Sequence, residues 1–286
     1  MLSFLQLNLH KATQASMLLG QELAGKSQTV CLITEPHTNY GKVTGMPGGT
    51  QVISATPEPH QPGPRAAIVA SRDLQIQALS RWCTRDSAVA TAKLHGKQVL
   101  IASIYLDINH PVVPDWLDDL MTMASSKNTP LLIGMDSNAH SSLFGPSNNN
   151  RGDELEDFIL QHSLQVHNSG SDPTYETRRG ACLIQTHIDV TLSRGLHFEI
   201  TAWRVDRSYN ASDHNTIKFE ATSTPTTQTT IRPWSKANWG AFRDALQQAD
   251  YRVPTGISMK KLDRLLARLY SLLQDALDLA LSLIHI

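Results

Sequence analysis

The chain has 286 residues, is 41% hydrophobic, and sets 25 Lys and Arg against 26 Asp and Glu, for a formal net charge of -1 and a pI near 6.9. That balance excludes a wholly basic, histone-like binder, and the length suits one large α/β domain with a small appendage. Three cysteines (Cys31, Cys83, Cys182) without metal-type spacing, and a start without a signal-peptide pattern, point to an intracellular, non-secreted protein with buried free thiols.

The first strand is Leu2–Asn8, followed by a helical stretch with Ala15, Leu18, Leu19 and Leu23 at helical spacing and Gly25 placed to stop it. Val30–Ile33 is a second strand, ending at Thr34-Glu35-Pro36. Residues 36 to 64 are rich in Pro and Gly and read as loop, and Ala66–Ala70 is a third strand. Ala88–Leu94 and Gln98–Tyr105 flank His95-Gly96-Lys97 as a hairpin. Pro114 precedes a helix carrying Trp116, Leu117, Leu120 and Met121. The apolar run Pro130–Ile133 is a buried strand delivering Asp136 and Asn138 at its carboxyl end, where catalytic groups collect in layered α/β proteins. Asp153 is placed to cap a helix through His162. Short strands follow near Val166, Ile188–Leu192, Phe198–Val205 and Thr216–Phe219, with Arg178-Arg179, Arg204 and Arg207 in loops.

Hairpins and strands among few helices suggest an α/β (α+β) fold, a four-layer sandwich of two mixed β-sheets flanked by helices. Residues 1–220 form this domain and 221–233 a Thr-rich linker. In 234–286, Trp234, Trp239, Phe242 and Leu246 lie on a helix that Ser235 can cap. A second helix, 259–283, has an apolar stripe that needs a partner. The chain therefore reads as a piece of a longer protein, its last residues as an artefact. Asp263, Arg264, Arg268, Asp275 and Asp278 interrupt the apolar tail, so no membrane span is expected.

Most strands end in a residue able to do chemistry: Asn8, Glu35, Tyr105, Asp136 with Asn138, Asp189, and Ser212-Asp213-His214 before the last strand. Each also has a bland reading: Asn8 as a helix cap, Glu35 as a solvated carboxylate, Tyr105 as a packed aromatic, Asp213 as a turn residue, His214 as a buried imidazole. Their co-occurrence in this order favours a site.

Gln6-x-Asn8, Thr34-Glu35-Pro36, Ile104-Tyr105, Gly134-x-Asp136-x-Asn138, Ile188-Asp189 and Ser212-Asp213-His214 resemble the motif series of the exonuclease–endonuclease–phosphatase (DNase-I-like) superfamily. Asp136-Ser137-Asn138-Ala139-His140 through Phe144-Gly145, with Arg151-Gly152 opening a helix, is similar to the apurinic-like endonuclease domain of non-LTR (LINE-type) retrotransposon polyproteins, particularly the Jockey-like group. Trp234–Phe242 resembles the segment joining that domain to the reverse transcriptase.

The resemblance implies hydrolysis of a phosphodiester by activated water, leaving a 3′-hydroxyl and a 5′-phosphate. Such an in-line attack needs a base, a cation and donors to the phosphate oxygens. Asp136 is the candidate base, held by Asn138. Glu35 with Asn8 is the candidate Mg²⁺ site, with Mn²⁺ as a substitute and Asp213 for a second metal. His214, oriented by Asp189, and Tyr105 would steady the phosphate. Arg151, Thr174, Ser212 and His140 are candidate phosphate contacts. Alternatively, Arg151 bridges to the Asp153-Glu154 helix start and His140 only shapes its loop.

The leading function is a Mg²⁺-dependent endonuclease acting in the nucleus, nicking double-stranded DNA to prime reverse transcription of the element RNA by a downstream reverse transcriptase domain. The alternatives are a same-fold phosphohydrolase acting on abasic DNA, inositol phosphates or sphingomyelin, and a decayed copy serving as a DNA-binding module.

Overall fold

The computed structural model describes residues 2–56, 60–180, 182–223, 230–231, 238–248, 268–270, 272–273, 275–276 and 284–285. These fall into two compact units, Met1–Thr224 and Pro225–Ile286.

In chain order the first unit contains β1 (Leu2–Asn8), α1 (Thr13–Leu23), β2 (Thr29–Thr34), β3 (Thr38–Asn39), β4 (Lys42–Val43), β5 (Thr50–Ser54), β6 (Ala66–Ser71) and β7 (Ile76–Ala78). After a 3-10 turn come β8 (Ser87–Leu94), β9 (Lys97–Tyr105), α2 (Asp115–Ser126), β10 (Leu131–Asp136), α3 (Asn150–Gln161) and β11 (Gln165–Val166). The unit closes with β12 (Tyr175–Arg179), β13 (Cys182–Thr186), β14 (Asp189–Arg194), β15 (Glu199–Asp206) and β16 (Thr216–Thr222).

The strands build two six-stranded sheets, ordered β15-β16-β1-β2-β6-β5 and β11-β14-β10-β9-β8-β7. Each has one parallel pair, β1 with β2 and β9 with β10, among antiparallel neighbours. The alternation of side chains along each strand sorts the core into three layers. Phe4, Leu32, Ile68, Ile101, Leu132 and Phe219 fill the space between the sheets. Leu5, Leu7 and Ile33 face outward onto Ala15, Leu19 and Leu23 of α1. Ile133, Met135 and Val190 face outward onto Leu117 and Leu120 of α2 and Leu155 and Phe158 of α3. The order is helix, sheet, sheet, helix: the four layers expected.

Several local expectations fail. The stretch 36–64 is not all loop, since β5 pairs along β6 and β3–β4 form a small hairpin. Its Pro and Gly density masked strands too short to show a period. The hairpin β12–β13 places Arg178 and Arg179 in a strand, and Arg204 lies in β15. Of the cysteines only Cys31 is buried; Cys182 is exposed. Asn149, not Asp153, caps α3, its side chain accepting the Gly152 N–H at 2.7 Å.

In the second unit, β17 (Thr230–Ile231) pairs with β18 (Ile284–His285), and α4 spans Trp239–Gln248. Asn238 caps α4 by accepting the Ala241 N–H at 3.0 Å. Trp234, Ser235 and most of 259–283 lie outside the described residues, as does most of the Thr-rich segment. Among the described residues no helix is long and apolar enough to cross a membrane.

Candidate active site

Strand register assembles the site. In the second sheet Asp136 at the end of β10 lies level with Tyr105 on one side and Asp189 on the other. In the first sheet Asn8 ends β1 level with Thr34 of β2, one residue before Glu35. The sheets approach closely because Gly134 lacks a side chain: a Cβ there would meet Leu32 at 2.7 Å and Gln6 at 3.0 Å. Gln6 occupies that space and ties the sheets together. Its amide nitrogen donates to Met135 O (3.3 Å) and Val190 O (3.2 Å), and its oxygen accepts from Thr191 Oγ1 at 2.9 Å.

The inner part of the site is buried and densely bonded. Asn8 Nδ2 donates to Asp136 Oδ2 at 2.7 Å and lies 3.5 Å from Glu35 Oε2. Asp189 Oδ2 meets His214 Nδ1 at 2.8 Å. Burial and then the neighbouring Asp189 charge raise the pKa of Asp136, against the opposing pull of His214, Asn8 and the Asn138 backbone. Burial opposes the His214 cation, but Asp189, Asp136 and Asp213 outweigh it and raise the imidazole pKa to about 9. Asp136 Oδ1 is buried without a hydrogen-bond partner. A buried unpaired carboxylate oxygen is costly, so this one is suited to receive a water, a proton or a cation.

The outer part is more open. Glu35 Oε1 pairs with Lys11 Nζ at 2.9 Å, and Asp213 lies 3.1 Å from His10 Nδ1. Glu35, His10, Lys11 and Asn138 all have positive φ, between 43° and 54°. Non-glycine residues held there are strained and cluster at functional sites. Tyr105 sits between the two parts. Burial and the charges of Glu35 and Asp136 push its phenol up to about 12, so it remains a neutral donor at physiological pH.

Several expected roles change. Asn138 does not hold Asp136 through its side chain, which donates to Leu106 O at 3.0 Å; Asn8 does. Asn8 bridges two carboxylates through its nitrogen while its oxygen accepts the His10 N–H at 2.7 Å, so it is a positioning group before it is a metal ligand. Arg151 donates to the carbonyls of Leu106, Asp107 and His110 rather than bridging to the helix start. Thr174 is fully buried, its hydroxyl accepting the N–H groups of Ile188 and Asp189 at 3.1 and 3.0 Å. Ser212 donates to Asn8 O at 2.7 Å and accepts the His214 N–H, which fastens the last loop to β1. The His140 ring meets Ser147 Oγ at 3.1 Å, and its carbonyl lies where a Gly152 Cβ would fall, which explains the glycine in Arg151-Gly152.

Arg65 gave no sequence signal. It is buried, forks onto Asp86, bonds Asp107 at 2.5 Å, and lies 4.6 Å from the centre of the Tyr105 ring. Its carbonyl accepts the Glu35 N–H at 2.8 Å. One residue thereby fixes both Tyr105 and the backbone of Glu35.

Among the described residues one group meets a metal-like spacing: Asp136, Asp189 and His214 offer atoms within 4.8 Å of one another. This buried acidic and imidazole cluster is compatible with a divalent cation.

Two mixed sheets packed face to face, with these groups gathered at one end, have the DNase-I-like architecture. Comparison with known proteins narrows this. Residues 99–218 match a family described as endonuclease-reverse transcriptase. The chain is 24% identical over 303 aligned positions to a 115 kDa protein of the type-1 retrotransposable element R1DM of Drosophila melanogaster. The match covers 98% of this chain but only 28% of that protein. The endonuclease domain of TRAS1, a telomere-specific non-LTR retrotransposon, superposes with a TM-score of 0.66 at 26% identity, over 79% of this chain and all of that one. An AP endonuclease from Leishmania major shares the fold alone, with a TM-score of 0.59 at 8% identity over 78% of this chain and 88% of that one. The family match, the retrotransposon relative and the endonuclease-domain structure together support an endonuclease domain like those of non-LTR retrotransposons.

Proposed function

We propose that this domain nicks one strand of double-stranded DNA with Mg²⁺, leaving a 3′-hydroxyl from which a downstream reverse transcriptase copies the element RNA. It acts in the nucleus, where chromosomal target DNA lies. The carrying observation is the unpartnered Oδ1 of Asp136, set beside an Asp189–His214 ion pair at one sheet edge.

Asp136 takes the proton of the attacking water, its carboxylate aimed by Asn8. His214, kept cationic by Asp189, binds a non-bridging phosphate oxygen and stabilises the charge that grows there. Tyr105 donates to the same phosphate. Glu35 fits a hard cation: it already pairs with the exposed ammonium of Lys11, which a divalent ion can displace. Asp213 is the remaining carboxylate within reach of a second ion. When bound, the metal supplies charge to the leaving oxygen.

Supercoiled plasmid tests the reading. Conversion to open circles with Mg²⁺ but not EDTA, at nicks that a DNA polymerase extends directly, is expected. Nicking independent of metal, or 3′-ends that block extension, would overturn it.

A further inference from the structure

Among the exposed large side chains close in sequence to site residues, Tyr209 precedes Ser212 by three positions and two others follow site residues at strand ends. Tyr40 is 97% exposed and Ile108 is 65% exposed. Each lies on the turn that follows a site residue at the sheet edge: Tyr40 five residues after Glu35, Ile108 three after Tyr105. At about 3.3–3.6 Å per residue, neither tip is more than about 18 Å from its anchor, well inside one ~34 Å turn of duplex.

Both turns are held firmly although their tips touch little. Tyr40 opens the β3–β4 turn at φ +45, ahead of Gly41. A tyrosine is poorly suited to that backbone conformation, where Gly or Asn is at ease. The hairpin is anchored by Thr44 N–H to His37 O at 3.0 Å and by His37 Nδ1 against Thr44 Oγ1 at 2.7 Å. The Ile108 turn is fixed through its flanks, with Arg151 on the carbonyls of Leu106, Asp107 and His110 and Arg65 on the Asp107 carboxylate. A pinned turn with an exposed apolar tip contributes nothing to the core. The neighbours Asn39, Lys42 and Asn109 are polar or basic, and the adjacent carboxylate of Asp107 is neutralised by Arg65, which suits a polyanion better than an apolar protein partner.

We propose that Tyr40 and Ile108 engage the base stack of the target duplex beside the cut phosphate, Ile108 as a wedge between base pairs and Tyr40 as a face for an unstacked base. The domain then selects DNA that opens easily, through deformability and in addition to any base reading. This inference rests on the endonuclease reading of the same site.

The test uses the whole chain carrying Asp136→Asn, so that binding proceeds without cutting, and a duplex with 2-aminopurine within a run of TA steps. Fluorescence is expected to rise on saturation, and Tyr40→Ala or Ile108→Ala to remove at least half of the rise. In the otherwise wild-type chain each variant slows plasmid nicking about tenfold. A mismatched bubble restores the rate, and Tyr40→Phe behaves as wild type. Circular dichroism and melting confirm that the variants fold. No rise on binding, or equal losses on paired and bubble DNA, overturns the proposal. A fluorescence rise from a wild-type chain that never nicks would refute the nuclease reading while leaving this one standing.

Discussion

The inner and outer parts of the site are built on different principles. Asn8, Asp136, Asp189 and His214 are at most 5% exposed and bonded to one another through protein atoms. Glu35 and Asp213 instead pair with His10 and Lys11, whose side chains are each 63% exposed. Buried polar networks gain strength from a low local dielectric and cannot rearrange cheaply, whereas exposed ion pairs are worth little and exchange readily. In the proposed reaction the inner part is therefore pre-organised for proton transfer and charge stabilisation. The outer part holds Glu35 against an ammonium that a metal ion can displace.

Substitution can break this contrast. The largest effect is expected from Asp189→Asn, which keeps the shape of the inner pair and removes the charge that maintains imidazolium at His214. Nicking should fall about 10²–10³-fold, with KM little changed, as read by steady-state kinetics. The same pair sets a pH dependence of stability. His214 is raised to about 9 in the folded chain, from an unfolded value near 6.5. Its stabilisation is complete below about 6.5 and lost as pH rises through about 9. Asp136, also raised, has the same sign, because the folded chain binds more protons than the unfolded one. Melting temperature should fall across that window, and Asp189→Asn should flatten the fall.

Arg65→Ala comes next. Removing a guanidinium from two partly exposed carboxylates costs about 1–3 kcal/mol, and Tyr105 loses its stacked partner. A lower melting temperature with a several-fold loss of nicking is expected, and calorimetry beside the plasmid assay separates the two. Smallest is Lys11→Ala. An exposed pair contributes less than about 1 kcal/mol, so stability should hold while less Mg²⁺ is needed for half-maximal nicking. If Lys11→Ala destabilises as much as Arg65→Ala, the contrast between the two parts fails.

Much of this architecture was legible in the sequence. Apolar runs such as Leu131–Ile133 and Val30–Ile33 are buried on both faces, and each leads to a polar residue at the carboxyl end of its strand. The β8–β9 hairpin announced itself through His95-Gly96. Short strands without a period, such as β3, β4 and β12, could not be seen. Spacing along the chain also misdirected the partnerships. Asp136 and Asn138, two residues apart, face different groups because Asn138 takes a left-handed backbone, while Asn8 arrives from 128 residues away. Arg65 was silent because its partners, Asp86 and Asp107, become neighbours only once β8 and β9 lie beside β6. Thr174 read as a surface contact because a side chain satisfied by backbone groups has no signature in sequence.

The most direct measurement is the single-turnover nicking rate of Asp136→Asn against wild type at saturating DNA and Mg²⁺, with both proteins shown to melt cooperatively. Asparagine keeps the size of the side chain and removes the proton acceptor. A loss of at least about 10²-fold in the chemical step, with DNA affinity preserved, is the expected result. A rate within a few-fold of wild type would contradict the assignment of the inner cluster as the seat of the reaction.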